Sequence, residues 1–296
     1  MKETNNVEQR PSTSLSKGAR RNQILRRITV VGVIAAVITA AFAGYCLHRE
    51  RVEEKQKAEE LRKEKQDKKE AEKVKSKPET AEQKLERVRK QATEHGYPKN
   101  VIELLDKNVE TVDFVADYEK KKDKPYADTI GKDLSQGGIP ELLQWDERWG
   151  YAPYGTSIVA ASGCGPTCMA MVAAGLNQDA SITPAKVAAY GTEHGYVDEE
   201  NNTYWRFMDE AGANWKLNST AGLLSEEQVA LELSQGHPII CSVGPGDFTK
   251  IGHFIVLTGY ENGKVNDPFS IKNSKATWVF ANIKDQIKAM WVFSKK

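Results

Sequence analysis

Hydrophobic and polar positions divide this chain into stretches of different character. Residues 28–47 form one uncharged apolar run. Charged residues dominate residues 48–96, with opposite charges three and four positions apart among strong helix formers. Apolar and aromatic residues are concentrated in the second half of the chain. The pattern predicts an apolar helix, a charged helical stalk and a folded C-terminal domain.

The apolar run is long enough to cross a bilayer core of about 30 Å at roughly 1.5 Å per residue. The positive-inside rule predicts that the N-terminus is cytoplasmic and the C-terminal domain extracellular, on a single-pass membrane helix. A cleaved signal peptide is the alternative, because Ala41-Phe42-Ala43 resembles a cleavage site. The basic residues that lie shortly before the run are Lys17, Arg20, Arg21, Arg26 and Arg27.

Composition shifts predict five segments. Residues 1–27 read as a disordered cytoplasmic tail, 28–47 as the transmembrane helix and 48–96 as the stalk, which Pro78 interrupts. Residues 97–138 read as a helical lead followed by a polar linking arm, and 139–296 as the folded domain. Apolar residues in the stalk are too sparse for a coiled-coil seam, so we expect a solvated helix.

The folded domain shows helix signals first and strand signals later. Pro166 can open a helix, Thr183-Pro184 caps another, and Ser225 with Gln228 forms a capping box. The later segments PIICSVG, GHFIVLTGY, KVND and MWVFS read as strands. This order predicts an α+β fold rather than an alternating parallel sheet.

Charge and cysteine content exclude several function classes. The formal net charge is +1, and the basic residues mix with acidic ones instead of forming a patch, so no nucleic-acid partner is predicted. Of the four cysteines, Cys46 lies in the apolar run, and the remaining three cannot all pair within the chain. We therefore expect neither a disulfide framework nor a metal site, and no cofactor. The oligomeric state is not predicted.

Cys164, between two glycines and two residues before Pro166, is the candidate nucleophile. A helix N-terminus stabilises a thiolate, and the backbone N–H of Cys164 could donate to a substrate oxyanion. A tight-turn role is the alternative for such a cysteine. Cys168 and Cys241 lie in apolar segments and read as buried structural thiols.

Of the five histidines, His253 alone stands at the mouth of a predicted buried strand beside a glycine, so it is the candidate base. Asp267 is the candidate that orients its ring, with Asn266 as the alternative. Asn262-Gly263 predicts a two-residue hairpin loop, which would set Thr258 opposite Asp267 and leave His253 roughly 16 Å along the strand. A direct contact would then need a longer loop, a bulge near Gly259 or strong twist.

The segments LLQWDERWGYAPYG, SGCGPTCMAMV, ICSVGPGDFTKIGHFIVLTGY and VNDP, in this order, resemble the bacterial papain-like cysteine peptidases related to the bacteriocin-processing, double-glycine leader peptidases. The resemblance covers residues 139–294. It implies a papain-like fold with Cys164 as nucleophile, His253 as base and acid, and Asp267 as the residue that orients the ring. It also implies that Gln144 supplies the side-chain donor of the oxyanion hole. Trp145 and Trp149 could line the cleft or pack in the core.

These residues predict a membrane-tethered extracellular cysteine peptidase that acts on a peptide or protein through an acyl-enzyme. A cell-wall peptide hydrolase or an acyl transferase on the same fold is one alternative. An inactive surface binding module is the other. No transporter or nucleotide-binding motif follows the peptidase-like segment, so a leader peptide cut in the cytoplasm is not the expected substrate.

Overall fold

The computed structural model describes residues 17–75 and 79–296. The chain divides into two compact units, Met1–Pro78 and Glu79–Lys296. The tail predicted for residues 1–16 and the helix break predicted at Pro78 lie outside the described residues.

The first unit contains one long helix, α1 (Lys17–Lys75). Among the described residues, the segment Ile24–Gln66 of this helix is long and apolar enough to cross a membrane, by length and composition. A signal sequence near the N-terminus would meet the same criterion. The helix begins before the apolar run, so the prediction of disorder is wrong for residues 17–27. Once nucleated, a helix extends readily through good helix formers such as Arg, Gln and Leu.

Five short helices open the second unit, and we call them the lead helices. The first, α2, begins with a capping box between Thr80 and Gln83 and buries Val88 and Ala92 against the helices that follow. Residues 81–94 were predicted to belong to a solvated stalk, and this is wrong because one narrow apolar stripe runs through the charged sequence. The lead helices are α2 (Ala81–Glu94), α3 (Lys99–Ile102), α4 (Leu104–Lys107), α5 (Val112–Ala116) and α6 (Tyr118–Lys121).

The lead helices pack on the domain that follows them. The rings of Phe114 and Tyr151 stack with centroids 4.1 Å apart, and the Tyr151 hydroxyl donates to the carbonyl of Phe114 at 2.8 Å. Ala160 is buried in the same apolar cluster, and Phe269 packs against its edge. The compact unit Glu79–Lys296 therefore includes the lead helices together with residues 139–296.

A central helix packs against one antiparallel sheet. Helix α8 (Cys164–Asn177) is buried on every side from Gly165 to Gly175, as expected for a helix that is apolar all round. The remaining helices are α7 (Val159–Ser162), α9 (Pro184–Glu193), α10 (Arg206–Glu210), α11 (Glu226–Ser234), α12 (Ile271–Lys275) and α13 (Phe280–Ile283). The capping residues Thr183 and Ser225 accept hydrogen bonds as predicted.

The main sheet has the strand order β3-β7-β4-β5-β6, and all its neighbours are antiparallel. A two-stranded ribbon, β1-β2, lies outside it. One face of the sheet buries Phe254, Val256 and Trp291 in the core around α8. The strands are β1 (Pro153–Tyr154), β2 (Ser157–Ile158), β3 (Leu217–Ala221), β4 (Ile239–Val243), β5 (His253–Gly259), β6 (Lys264–Asn266) and β7 (Ile287–Lys295).

The β5–β6 hairpin differs from the sequence prediction. Its loop is a four-residue turn closed by the Gly263 N–H, which donates to the Tyr260 carbonyl at 3.0 Å. The register pairs Val256 with Asn266, and it shifts between Leu257 and Gly259. The predicted two-residue loop is therefore wrong. The longer loop and the bulge bring Asp267 close to the start of β5.

Candidate active site

Cys164 is the first residue of α8 and is partly exposed. The first N–H groups of a helix lack intrahelical acceptors and carry a partial positive charge, which favours a thiolate. Gly165 is required next to it, because a Cβ at that position would lie 2.5 Å from the Thr203 hydroxyl oxygen. The Thr203 hydroxyl in turn is hydrogen-bonded to that of Tyr154 at 2.7 Å. A tightly packed turn thus presents the thiol.

The pKa of Cys164 lies below its ordinary value. Burial acts to raise it, but a hydrogen bond and the positive charge of His253, together with backbone N–H groups of Phe254 and Gly165, more than offset burial. Cys168 and Cys241 show the opposite behaviour, because burial raises the pKa of both thiols. Both are fully buried, as predicted. The three thiols therefore differ in reactivity through their surroundings.

His253 opens β5 and contacts Asp267. Its Nε2 atom lies 2.8 Å from Asp267 Oδ1, in a pair whose side chains are 10% and 1% exposed. Burial acts to lower the pKa of His253, but the Asp267 carboxylate and the Cys164 thiolate raise it to about 10. Because Asp267 engages Nε2, Nδ1 is the nitrogen left for the thiol. The arrangement favours an imidazolium–thiolate pair.

The Asp267 carboxylate accepts hydrogen bonds on both oxygens. Oδ1 accepts from the Phe269 N–H at 2.8 Å, and Oδ2 accepts from Asn273 Nδ2 at 2.7 Å. The Asp267 N–H donates to the Ser274 hydroxyl at 2.9 Å. Burial acts to raise the pKa of Asp267, but the charge and hydrogen bond of His253 and these donors lower it. Asp267 therefore stays ionised beside His253.

Asn266, the alternative to Asp267, faces away from the histidine. Its amide Nδ2 donates to the Pro140 carbonyl at 3.1 Å, and its side chain is buried. Asn273 and Ser274 were not singled out from the sequence. The run of Ser and Asn residues after Asp267-Pro268 was the available signal, because these residues cap short helices and turns.

Gln144 is buried beside the loop that carries Asp267. Its backbone N–H donates to the Pro268 carbonyl at 2.7 Å, and its side-chain Nε2 donates to the Ala160 carbonyl at 2.8 Å. The Ala160 carbonyl fixes the orientation of the amide, since only the NH₂ end can donate to it. One N–H of Nε2 remains. Within residues 17–75 and 79–296, Oε1 of Gln144 is one of the buried side-chain atoms without a hydrogen-bond partner.

The two tryptophans near Gln144 have different surroundings. Trp149 is fully buried in the core, and its indole N–H donates to the Leu143 carbonyl at 2.8 Å. Trp145 is partly buried, and its indole N–H donates to the Phe269 carbonyl at 2.8 Å. The Phe269 ring lies edge-on to His253, with centroids 6.4 Å apart. Trp145 therefore supports the loop behind Asp267.

The fold is α+β, with Cys164 on a helix that packs against the antiparallel sheet bearing His253, as predicted for a papain-like fold. A model of the Peptidase C39-like family matches residues 138–296, which is more than half of the chain, so the chain belongs to that family. This confirms the predicted relation to the bacteriocin-processing peptidases. It also supports a cysteine peptidase-type function.

Solved structures similar to this chain include two peptidase structures. One is the peptidase domain of Streptococcus ComA, described as a bifunctional ABC transporter involved in a quorum-sensing pathway; it is 17% identical, with a TM-score of 0.36, over 46% of this chain and 93% of that one. The other is a putative C39-like peptidase from Bacillus anthracis; it is 13% identical, with a TM-score of 0.32, over 54% of this chain and 96% of that one. A comparison with curated proteins gave no match.

The chemistry available at the site is that of a nucleophilic thiolate with an adjacent acid. The part of the chain that the structure describes contains no group of three or more His, Cys, Asp or Glu residues arranged to hold a metal ion. The backbone N–H of Cys164 lies at the start of α8, and the Gln144 side chain uses one N–H of Nε2 for the Ala160 carbonyl. Such an arrangement suits acyl transfer from a carbonyl to sulfur.

Proposed function

We propose that this protein is a membrane-tethered extracellular cysteine peptidase that hydrolyses peptide bonds through Cys164, His253 and Asp267. The observation that carries the proposal is the lowered pKa of Cys164 beside a histidine whose Nε2 lies 2.8 Å from a buried carboxylate. A thiol that is merely structural has no need of either neighbour.

In the proposed reaction, Sγ of Cys164 attacks the carbonyl carbon of the scissile bond. A C–S bond forms, and the carbonyl π electrons move to oxygen. The resulting oxyanion accepts hydrogen bonds from the Cys164 backbone N–H and from the second N–H of Gln144 Nε2. Donors fixed in advance stabilise this charge at a cost far smaller than that of reorganising water.

The intermediate then collapses as the C–N bond breaks. The leaving nitrogen takes the proton from Nδ1 of His253, and a thioester remains on Cys164. A water molecule next gives a proton to His253 and attacks the thioester carbonyl. The C–S bond then breaks and the acid product leaves, so Cys164 is again a thiolate beside the imidazolium that holds the proton taken from water. Asp267 holds the ring throughout and stabilises its positive charge whenever His253 is protonated.

The tether is proposed from α1, whose apolar part follows five basic residues. Positive charge at the N-terminal end favours retention of that end in the cytoplasm. The test is a protease-protection assay on intact cells that produce the full chain. Digestion of the second unit from outside supports the proposal, whereas protection of that unit until the cells are lysed contradicts the orientation. Release of the intact unit into the medium would indicate a cleaved signal peptide.

The catalytic proposal is tested on the full chain in detergent micelles. A limiting amount of iodoacetamide is applied from about pH 5 to about pH 9, and the modified cysteines are mapped by mass spectrometry. We expect fast labelling of Cys164 that persists well below the ordinary thiol pKa of about 8.5. Cys168 and Cys241, which are buried, serve as internal controls. His253→Ala should slow the labelling of Cys164 at low pH.

Labelling of Cys164 that rises only near the ordinary thiol pKa, and that does not change in His253→Ala, would contradict the peptidase proposal and favour a binding module. If Cys164 is labelled rapidly at low pH, peptides and cell-wall peptides are then screened as substrates in the presence of added amines. The products show whether water or an amine accepts the acyl group. Hydrolysis products that need Cys164 support the proposed peptidase, whereas aminolysis products would show an acyl transferase.

A further inference from the structure

The lead helices contact the loop that carries Asp267, although they precede the region matched by the family model. Glu110, between α4 and α5, accepts two hydrogen bonds from that loop. Its Oε2 accepts from the Ile271 N–H at 2.9 Å, and its Oε1 accepts from the Lys272 N–H at 3.2 Å. Asn108 adds a third contact, since its Nδ2 donates to the Phe269 carbonyl at 2.5 Å.

The two N–H groups that donate to Glu110 are the first two of α12. That helix has five residues, and a helix so short has little stability of its own, so its ends need partners. The Ser270 hydroxyl caps the Asn273 N–H at 3.2 Å. The carboxylate of Glu110 supplies the two acceptors that the sequence next to α12 does not, and it complements the positive end of the helix.

Helix α12 in turn holds Asp267 from two sides. Asn273 donates from its side chain to Oδ2 of Asp267 at 2.7 Å, and the Ser274 hydroxyl accepts from the Asp267 N–H at 2.9 Å. Ser274 is 1% exposed, so water does not replace these bonds readily. A continuous set of contacts therefore runs from Glu110 through α12 to Asp267 and on to His253.

Glu110 is itself held in one place. Asn108 Oδ1 accepts from the Glu110 N–H at 2.9 Å, and Asn108 Nδ2 approaches Glu110 Oε2 at 3.2 Å. The adjacent Thr111 is fully buried. Because the rotamer of Glu110 is fixed by these contacts, the carboxylate holds the start of α12 in one position instead of moving with it.

We propose that Glu110 is a positioning residue of the active site and that the lead helices are part of the catalytic unit. Glu110 sets the position of α12, and α12 sets the orientation of Asp267 toward His253. This inference rests on the proposed peptidase function. It adds a required element outside the region that the family model matches.

The test compares Glu110→Gln with the unchanged chain, both as full chains in detergent micelles. Gln keeps the size of the side chain but removes the charge and one acceptor. The measured quantity is the rate of iodoacetamide labelling of Cys164 as a function of pH, with the melting temperature recorded in parallel. We expect about tenfold slower labelling near pH 6 and a shift of the acid limb to higher pH, because a loosened Asp267 stabilises the imidazolium less.

Two further variants separate positioning from folding. Glu110→Asp restores the charge and should recover part of the low-pH labelling. Glu103→Gln, between α3 and α4, is the matched control, because the Glu103 carboxylate pairs with Lys99 and with Lys107, each at 3.6 Å. Its labelling profile should coincide with that of the unchanged chain.

The outcomes distinguish this inference from the proposed function. If Cys164 of the unchanged chain is not poised at low pH, the proposed function fails. If Cys164 is labelled rapidly at low pH and the labelling profile of Glu110→Gln coincides with that of the unchanged chain, Glu110 has no positioning role. A lower melting temperature with an unchanged profile would show that Glu110 only stabilises the fold. A shifted profile that Asp partly restores supports the inference.

Discussion

Asp267→Asn removes the charge beside His253 with almost no change in shape. The buried carboxylate accepts from His253 and Phe269 on Oδ1 and from Asn273 on Oδ2. An asparagine keeps one oxygen for the first pair, and Asn273 can rotate its amide to present its own oxygen to the new NH₂ group. The fold should therefore survive, and the main loss is the charge-assisted hydrogen bond to the imidazolium.

A hydrogen bond to a charged group contributes about 1.5–3 kcal/mol. Since one pKa unit corresponds to about 1.4 kcal/mol, the pKa of His253 should fall by roughly one to two units. The imidazolium–thiolate pair then becomes about 10- to 100-fold less populated relative to the neutral pair. Iodoacetamide labelling of Cys164 near pH 6 should slow by a similar factor, and the acid limb should move to higher pH.

Asn266→Ala is the matched control, because Asn266 is the neighbouring buried side chain and bonds to the Pro140 carbonyl rather than to His253. It should lower the melting temperature and leave the pH profile of Cys164 labelling unchanged. Labelling of Asp267→Asn within about threefold of the unchanged chain at every pH would refute the reasoning, since it would mean less than about 0.7 kcal/mol of coupling.

Three further results are expected. Gln144→Ala should lower the turnover of any cleaved peptide by about 10²- to 10³-fold while leaving iodoacetamide labelling unchanged, because alkylation forms no oxyanion; equal loss in both assays would argue against that role. Val88→Ala, at a fully buried site, should lower the free energy of unfolding by about 2 kcal/mol in denaturant titrations; no loss would return α2 to the stalk. The free energy of unfolding should be greatest between about pH 6.5 and 8.5. It should fall as pH rises to about 10, where folded His253 loses its proton, and as pH falls through the lowered pKa of Cys164; slopes that persist in His253→Ala would contradict this linkage.

Local signals predicted local structure well. The Ser225–Gln228 capping box, the helix beginning near Cys164 and the strand beginning at His253 all follow from residues within a few positions of each other. The contacts of Glu110 could not be predicted from the sequence. Its partners are the backbone N–H groups of residues 271 and 272, which lie about half a chain away and leave no signal in the side-chain pattern.

The hairpin after β5 shows how tertiary contacts override a short motif. Asn-Gly favours a two-residue loop. Here the Gly263 carbonyl accepts from the Trp278 N–H at 2.9 Å, and Asn262 Oδ1 accepts from the Lys264 N–H at 3.1 Å. These bonds use Asn262 and Gly263 at the end of a four-residue turn. The partner segment near Trp278 follows the hairpin in the chain, so a reading of the local residues could not include it.

The bulge between Leu257 and Gly259 also bears on when the thiol becomes reactive. Side chains alternate between the two faces of a strand. A shift of one residue in the pairing of β6 with β5 would therefore turn Asp267 away from His253. Cys164 begins a helix, His253 begins the interior strand β5, and Asp267 directly follows the edge strand β6. We therefore expect a newly made chain to carry an ordinary thiol at Cys164 until the hairpin of β5 and β6 has formed in its final register.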